Sequence, residues 1–276
     1  MLYELSGVCK RFNKKVVALR GVDLVIREGD FLAIQGATST VQRERMPQRL
    51  THRQGRLEMV DAVNTVLRSG RTSRRLAFGG LVGPAVFVLS FVVAGLIRPG
   101  YSPVHQAVSD LGVGSNAWLV DGSIVLCSLL LIGLVVAFFR AMREVMSEGW
   151  RWASAGLLSL SPVGFAIAGV FTEAPATLAV HWVVGAMLAF FGPVIAFTLA
   201  GIRLWRDAGW RGWGAYSIAS GLVTLALILF LFWVYTPGTI LAPERLGGLI
   251  ERIAVVEILA WYAATGWRLS RAHGFR

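Results

Sequence analysis

The fold class predicted for this chain is an all-α integral membrane protein of six transmembrane helices, with a short β-type fragment at its N-terminus. Three observations predict it. The 276 residues are 55% hydrophobic and only 16% charged, with a mean hydropathy of +0.61, whereas ordinary soluble domains carry about 25% charged residues. Six stretches of the length that crosses a bilayer core, roughly 20 apolar residues, follow one another from residue 76 onward. The segments joining them alternate between arginine-rich and arginine-poor. This composition excludes a disordered chain and a collagen-like repeat, and 2 Cys cannot build a disulfide framework.

Residues 1–40 read as strands. Tyr3, Glu4 and Leu5 begin an alternation that returns at Val22, Leu24 and Ile26; a Glu28-Gly29-Asp30 turn follows, then the apolar run Phe31-Leu32-Ala33-Ile34 ahead of Gly36. Over about residues 1–38 this resembles the opening of an ABC-transporter ATPase, which leads into a phosphate loop. A phosphate loop needs G-x-x-x-x-G-K-[ST], whose glycines admit backbone N–H groups to the phosphates and whose lysine meets their charge. Counted from Gly36, the required positions hold Val41, Gln42 and Arg43. The fragment therefore lacks the residues of ATP hydrolysis, and what the resemblance leaves open is association with ABC-transporter components.

Residues 41–75 form a basic linker, with Leu57, Val60, Val63 and Leu67 at the spacing of a short amphipathic helix. The first 75 residues hold 15 Lys/Arg against 7 Asp/Glu, and the rest hold 12 against 9. No recognition motif accompanies this charge, so nucleic acid is not the expected partner. The lipid bilayer is, with anionic lipid attracted to Arg68, Arg71, Arg74 and Arg75 beside the first span.

The membrane domain, residues 76–269, is expected to span at 76–97, 118–139, 152–171, 178–202, 213–235 and 249–269, leaving a tail at 270–276. Between spans the arginines are Arg98; then Arg140, Arg143 and Arg151; none; Arg203, Arg206 and Arg211; and Arg245. The positive-inside rule puts both termini in the cytoplasm of a plasma membrane, and the first span lies too far along the chain for a cleaved signal peptide. Trp118, Trp150, Trp152, Trp210, Trp213 and Trp267 fall at span ends, as interfacial indoles do. Pro84, Pro162 and Pro193 lie inside spans, where each frees a carbonyl.

Most unusual polar residues gather at the face away from the arginine-rich segments. The first loop runs Arg98-Pro99-Gly100-Tyr101-Ser102-Pro103-Val104-His105-Gln106 and on through Ser109-Asp110-Leu111-Gly112, longer and more specific than a minimal turn. Arg98-Pro99-Gly100-Tyr101-Ser102-Pro103 with Ser109-Asp110-Leu111-Gly112, set after a first span, resembles the bacterial membrane family catalogued as domain of unknown function 998. Phe171-Thr172-Glu173-Ala174-Pro175, His181 and Gly248-Leu249-Ile250-Glu251-Arg252 follow that family's pattern, with Glu173 and Glu251 as departures from Asp and Gln. The resemblance implies six helices in a bacterial plasma membrane and implies no reaction.

The candidate site residues are Arg98, Tyr101, His105, Asp110, Glu173, His181, Glu251 and Arg252. A charge at membrane depth costs about 3 kcal/mol, so Glu251, Arg252 and Glu257 need partners, and Arg252 is expected to pair with Asp110, Glu173 or Glu251. A lipid or small amphiphile held by Arg98, Tyr101 and Arg252 in an outward-facing cavity is the leading reading. An intramembrane enzyme drawing on His105, Asp110, Glu173 and His181, with or without a metal, is the alternative. No cofactor is expected: a bis-histidine haem needs two histidines at membrane depth, and only His181 qualifies. Cys9 and Cys127 read as unreactive thiols.

Overall fold

A computed structural model describes the backbone of residues 3–12, 16–26, 52–236, 238 and 243–271, and the side chains of residues 70–271 apart from 71, 237 and 239–245. The chain divides into two units, residues 1–54 and 55–276.

The first unit holds an antiparallel hairpin of β1 (Tyr3–Phe12) and β2 (Val16–Ile26). Tyr3 lies opposite Ile26, Leu5 opposite Leu24 and Phe12 opposite Val16. The alternating residues of the sequence are thus on these two strands. The apolar run at 31–34, Gly36 and the degenerate phosphate-loop positions lie outside the described residues.

The second unit is helical: α1 (His52–Ile97), α2 (Ala117–Ala141), α3 (Glu148–Val170), α4 (Met187–Trp205), α5 (Arg211–Val234) and α6 (Pro243–Arg271). A π-helical segment, Val180–Ala186, leads into α4, and a 3₁₀ turn, Ser109–Gly112, sits in the loop before α2. The linker differs from its expected form: from His52 it is continuous helix with the first span.

Among the described residues five stretches are long and apolar enough to cross a membrane, Thr72–Ile97, Ala117–Glu144, Glu148–Val170, Val180–Trp205 and Arg211–Val234. The sixth predicted span is present as helix α6, but Glu251, Arg252 and Glu257 interrupt its apolar residues and keep it outside that set. The outer surface of the bundle is apolar, with Leu89 63%, Leu129 65% and Leu222 58% exposed. A soluble bundle buries such residues; here lipid is their solvent, and this is a multi-pass membrane protein.

Polar groups are correspondingly turned inward. Ser161 donates to the Ala189 carbonyl (2.9 Å), Tyr262 to the Leu158 carbonyl (2.7 Å) and the Trp261 indole to the Ser217 hydroxyl (3.0 Å). Phe197 stacks on Trp261 with ring centroids 4.1 Å apart. Glu257 is held between helices by the Ser220 and Thr224 hydroxyls, at 2.7 and 2.6 Å. Ring-to-cation contacts close the arginine-rich end: Arg268 lies over Trp210 and Trp213, and Arg151 over Phe139.

Small residues set how closely the helices approach, since lipid supplies no hydrophobic drive between them. A Cβ on Gly164 of α3 would lie 2.3 Å from the Ala189 amide nitrogen and 2.6 Å from the Gly185 carbonyl oxygen. Backbone cannot yield there as a side chain does. Gly164→Ala is therefore expected to destabilise the bundle by about 1–3 kcal/mol, the usual cost of overpacking. Gly156→Ala, facing open space on the same helix, should melt like the parent in detergent.

Candidate functional site

Residues 98–116 must carry the chain from α1 to α2 across one end of the bundle, and two guanidinium groups hold them there. Arg98 Nη1 donates to the carbonyls of Asp110 and Val113. From α6, Arg252 Nη1 donates to the carbonyls of Pro103 (2.8 Å), Gln106 (2.7 Å) and Gly248 (2.8 Å), and Nη2 to the Tyr101 hydroxyl. Tyr101 in turn donates to the Ala107 carbonyl at 2.6 Å. Burial pushes the Tyr101 phenol up from its ordinary value, against the lowering influence of Arg252, so it stays protonated and able to donate. The Leu249 amide closes the loop onto α6 through the Val104 carbonyl (3.0 Å).

Glycines admit this contact. A Cβ on Gly248 would fall 2.0 Å from the Gln106 carbonyl oxygen, so only glycine lets the loop lie on the start of α6. Gly100 turns the chain at φ +72°, in the left-handed region.

Beneath and beside the loop lie three neighbouring spaces that share lining residues. A vestibule of about 590 Å³ opens outward between Ser102, His105, Gln106, Asp110, Glu173, Trp182 and Tyr235. Deeper, a chamber of about 60 Å³ is lined by apolar residues together with Ser109, Asp121, His181 and Glu251. On the flank, a groove of about 310 Å³ runs between α4 and α5 along Met187, Phe190, Phe191, Leu231 and Phe232, with no polar lining. Trp182 borders all three spaces, and Tyr235 borders the vestibule and the groove.

The π-helical segment aims His181 and Trp182 into this region; such segments recur at functional sites. His181 Nδ1 faces the carbonyls of Ala168 (3.1 Å) and Phe171 (2.9 Å), both acceptors, which makes Nδ1 the protonated nitrogen. Nε2 is then left facing Glu173 Oε1 at 3.7 Å. Burial pushes the Glu173 carboxyl above the ordinary carboxylate range, opposed by nearby His181 and reinforced by neighbouring Asp110. Ser109 Oγ, Glu173 Oε1 and Glu251 Oε2 are buried with no hydrogen-bond partner.

The eight candidates divide by role. His105, Asp110 and Glu173 line the vestibule, and His181 and Glu251 line the chamber. Arg98 borders a separate cleft with Pro99, Leu111 and Asn116. Tyr101 and Arg252 belong to the loop's internal bonding. The expected ion pair of Arg252 is corrected: its acceptors are three carbonyls and a phenol, because the loop's backbone comes closer than any carboxylate. Among the described residues no three His, Cys, Asp or Glu side chains gather to hold a metal ion. Arg68 and Arg71 have no described side chains; Arg74 Nε donates to the Ser270 carbonyl (3.1 Å). Sequence reasoning missed Asp121, Trp182 and Tyr235. Asp121 had a signal, an acid in an otherwise apolar span. Its Oδ1 would lie 2.6 Å from a Cβ on Gly112.

Fold and site together define a multi-pass membrane protein with a polar vestibule at one end and an apolar groove beside it. Residues 81–268 match the family described as "Protein of unknown function (DUF998)", well over half of the chain, and the chain belongs to that family. Comparison with curated proteins and with solved structures returns no match.

Two outcomes are expected. Arg252→Ala should cost about 3 kcal/mol or more, because several carbonyls lose a charged donor at once, and it should expose residues 98–116 to protease. Arg252→Lys should recover less than half of that, since one ammonium cannot serve acceptors spread along both edges of a guanidinium. For Glu173 the sign is set by its raised pKa. The folded state holds that proton more tightly, so stability falls as pH rises from the ordinary carboxylate value through the raised one. Glu173→Gln should therefore melt above the parent at pH 7.5, and the difference should close toward pH 4.5.

Proposed function

We propose that the protein binds a lipid or other small amphiphile at the loop end of its bundle, with that end facing away from the cytoplasm and α6 serving as the sixth span. One observation carries the reading: Trp182 and Tyr235 each border both the polar vestibule and the wholly apolar groove. A molecule with a polar head and an apolar chain fills both spaces at once, whereas a small polar solute fills only the first.

The orientation is supported by charge. Arg140, Arg143, Arg151, Arg203, Arg206 and Arg211 lie at the opposite ends of α2 to α5 from the loop, where the positive-inside rule puts the cytoplasm. The length of α6, 29 residues, is about 43 Å at the helical rise of 1.5 Å per residue, more than a bilayer core. Two of its charges have protein-side partners, Arg252 in the loop and Glu257 on two hydroxyls, while Glu251 faces the chamber. Intramembrane charges of functional proteins are arranged in this way.

Native mass spectrometry of protein extracted gently from its own membrane should show a bound amphiphile. Leu231→Trp, which fills the groove without touching the vestibule, should lose it while keeping the parent's melting temperature. An unliganded parent, or an adduct retained in Leu231→Trp, would overturn the reading.

A further inference from the structure

We propose that the amphiphile taken up here is a cation, an alkylammonium whose charged head rests in the vestibule and whose chain lies in the groove. This rests on the amphiphile reading and adds the chemistry of the head.

The first ground is which charges remain available. The two described guanidinium groups at this end are engaged, Arg98 on two carbonyls and Arg252 on three carbonyls and a phenol. What faces the vestibule is acidic: Asp110 and Glu173, with Asp121 and Glu251 behind them in the chamber. The bases nearby are His105, at the exposed edge, and His181, whose Nδ1 is occupied by two carbonyls. A phosphate or sulfate head would meet two carboxyls and, among the described residues, no free guanidinium. An ammonium head would relieve the repulsion between Asp110 and Glu173, which lie side by side.

The second ground is independent of charge. The vestibule wall that continues into the groove is made of two aromatic rings, Trp182 and Tyr235. A ring face attracts a cation through its quadrupole, most strongly for tryptophan, and aromatic walls are the usual cradle of quaternary ammonium groups. A quaternary head donates no hydrogen bond, so it suits a site offering carboxylates and ring faces. The head would stand where the two rings meet the two acids, and the chain would leave past the same rings into Phe190, Phe191, Leu231 and Phe232.

The test compares three heads on one chain: octyltrimethylammonium, octyl sulfate and octyl glucoside. Binding of radiolabelled octyltrimethylammonium to protein in phospholipid nanodiscs is measured by scintillation proximity, with protein-free nanodiscs as background and the other two as competitors. Saturable binding of the ammonium is expected, at least 10-fold tighter than either competitor. Glu173→Gln should weaken it 10-fold or more and by a larger factor than it weakens octyl glucoside, whereas a merely structural role for Glu173 would weaken both alike. If the three heads bind equally, or octyl sulfate binds more tightly, the cationic head is wrong and the amphiphile reading stands. An ammonium affinity unchanged in Glu173→Gln also overturns the cationic head. If none of the three binds saturably, the amphiphile reading fails with it.

Discussion

The open end of this protein depends on one guanidinium. At the rim of a bilayer a loop needs partners for its backbone carbonyls that do not depend on water, and residues 98–116 have no strand or helix beyond a single 3₁₀ turn to supply them. Arg252 supplies two of them, Pro103 and Gln106, from one side chain, and also reaches the Tyr101 hydroxyl and the Gly248 carbonyl of its own helix. Its planar fork is suited to this, because donors on both edges reach acceptors in different directions without reorienting. Gly248 is the other half of the same device: the loop comes within reach of Arg252 because no Cβ stands between Gln106 and α6. The vestibule is what the fastened loop leaves open above the bundle.

Fastening the loop in this way also decides the electrostatics of the site. Arginines at a membrane interface ordinarily read as seats for anionic headgroups. Here Arg98 and Arg252 act within the loop, and the surfaces left facing the cavities carry Asp110, Asp121, Glu173 and Glu251. Residues that would have favoured an anion have become scaffold, so the character of the cavity is the reverse of what the loop's composition implies.

That reversal also explains where the sequence was legible. The helices were legible because a span needs about 20 apolar residues and little else produces such runs. His181, Glu251 and Arg252 were legible as residues in costly places, and Asp110 and Glu173 as polar residues of the outer loops. What they do was not, because the acceptors of Arg252 are carbonyls, and a backbone carbonyl is the same at every position of a sequence. Trp182 and Tyr235 were hidden for a different reason: aromatic residues at span ends are common as interfacial anchors, and only the groove beside them sets these two apart. The π-helical segment at Val180–Ala186 has no marker in composition, yet it turns His181 toward α3. The charges of α6 were read as needing partners, and the pairing named from the sequence, Arg252 with Asp110, Glu173 or Glu251, gives way to carbonyls and a phenol.

The chamber poses the sharper question of why acids are held there at all. A buried polar group without a partner costs about 1–3 kcal/mol, and more when charged, and in a membrane interior no bulk water offsets it. Of the five described side chains that carry such an atom, Ser109, Glu173 and Glu251 border the vestibule or the chamber, and Trp213 and Thr265 line neither. Glu257, by contrast, shows how this fold treats an acid that serves structure: both oxygens are met by hydroxyls from α5. The same protein therefore satisfies one intramembrane carboxylate fully and leaves two others exposed to a cavity. Stability alone favours replacing the latter by apolar residues of similar volume. Their retention beside a vestibule walled by Trp182 and Tyr235 is the arrangement expected where the missing partner is an occupant of the site.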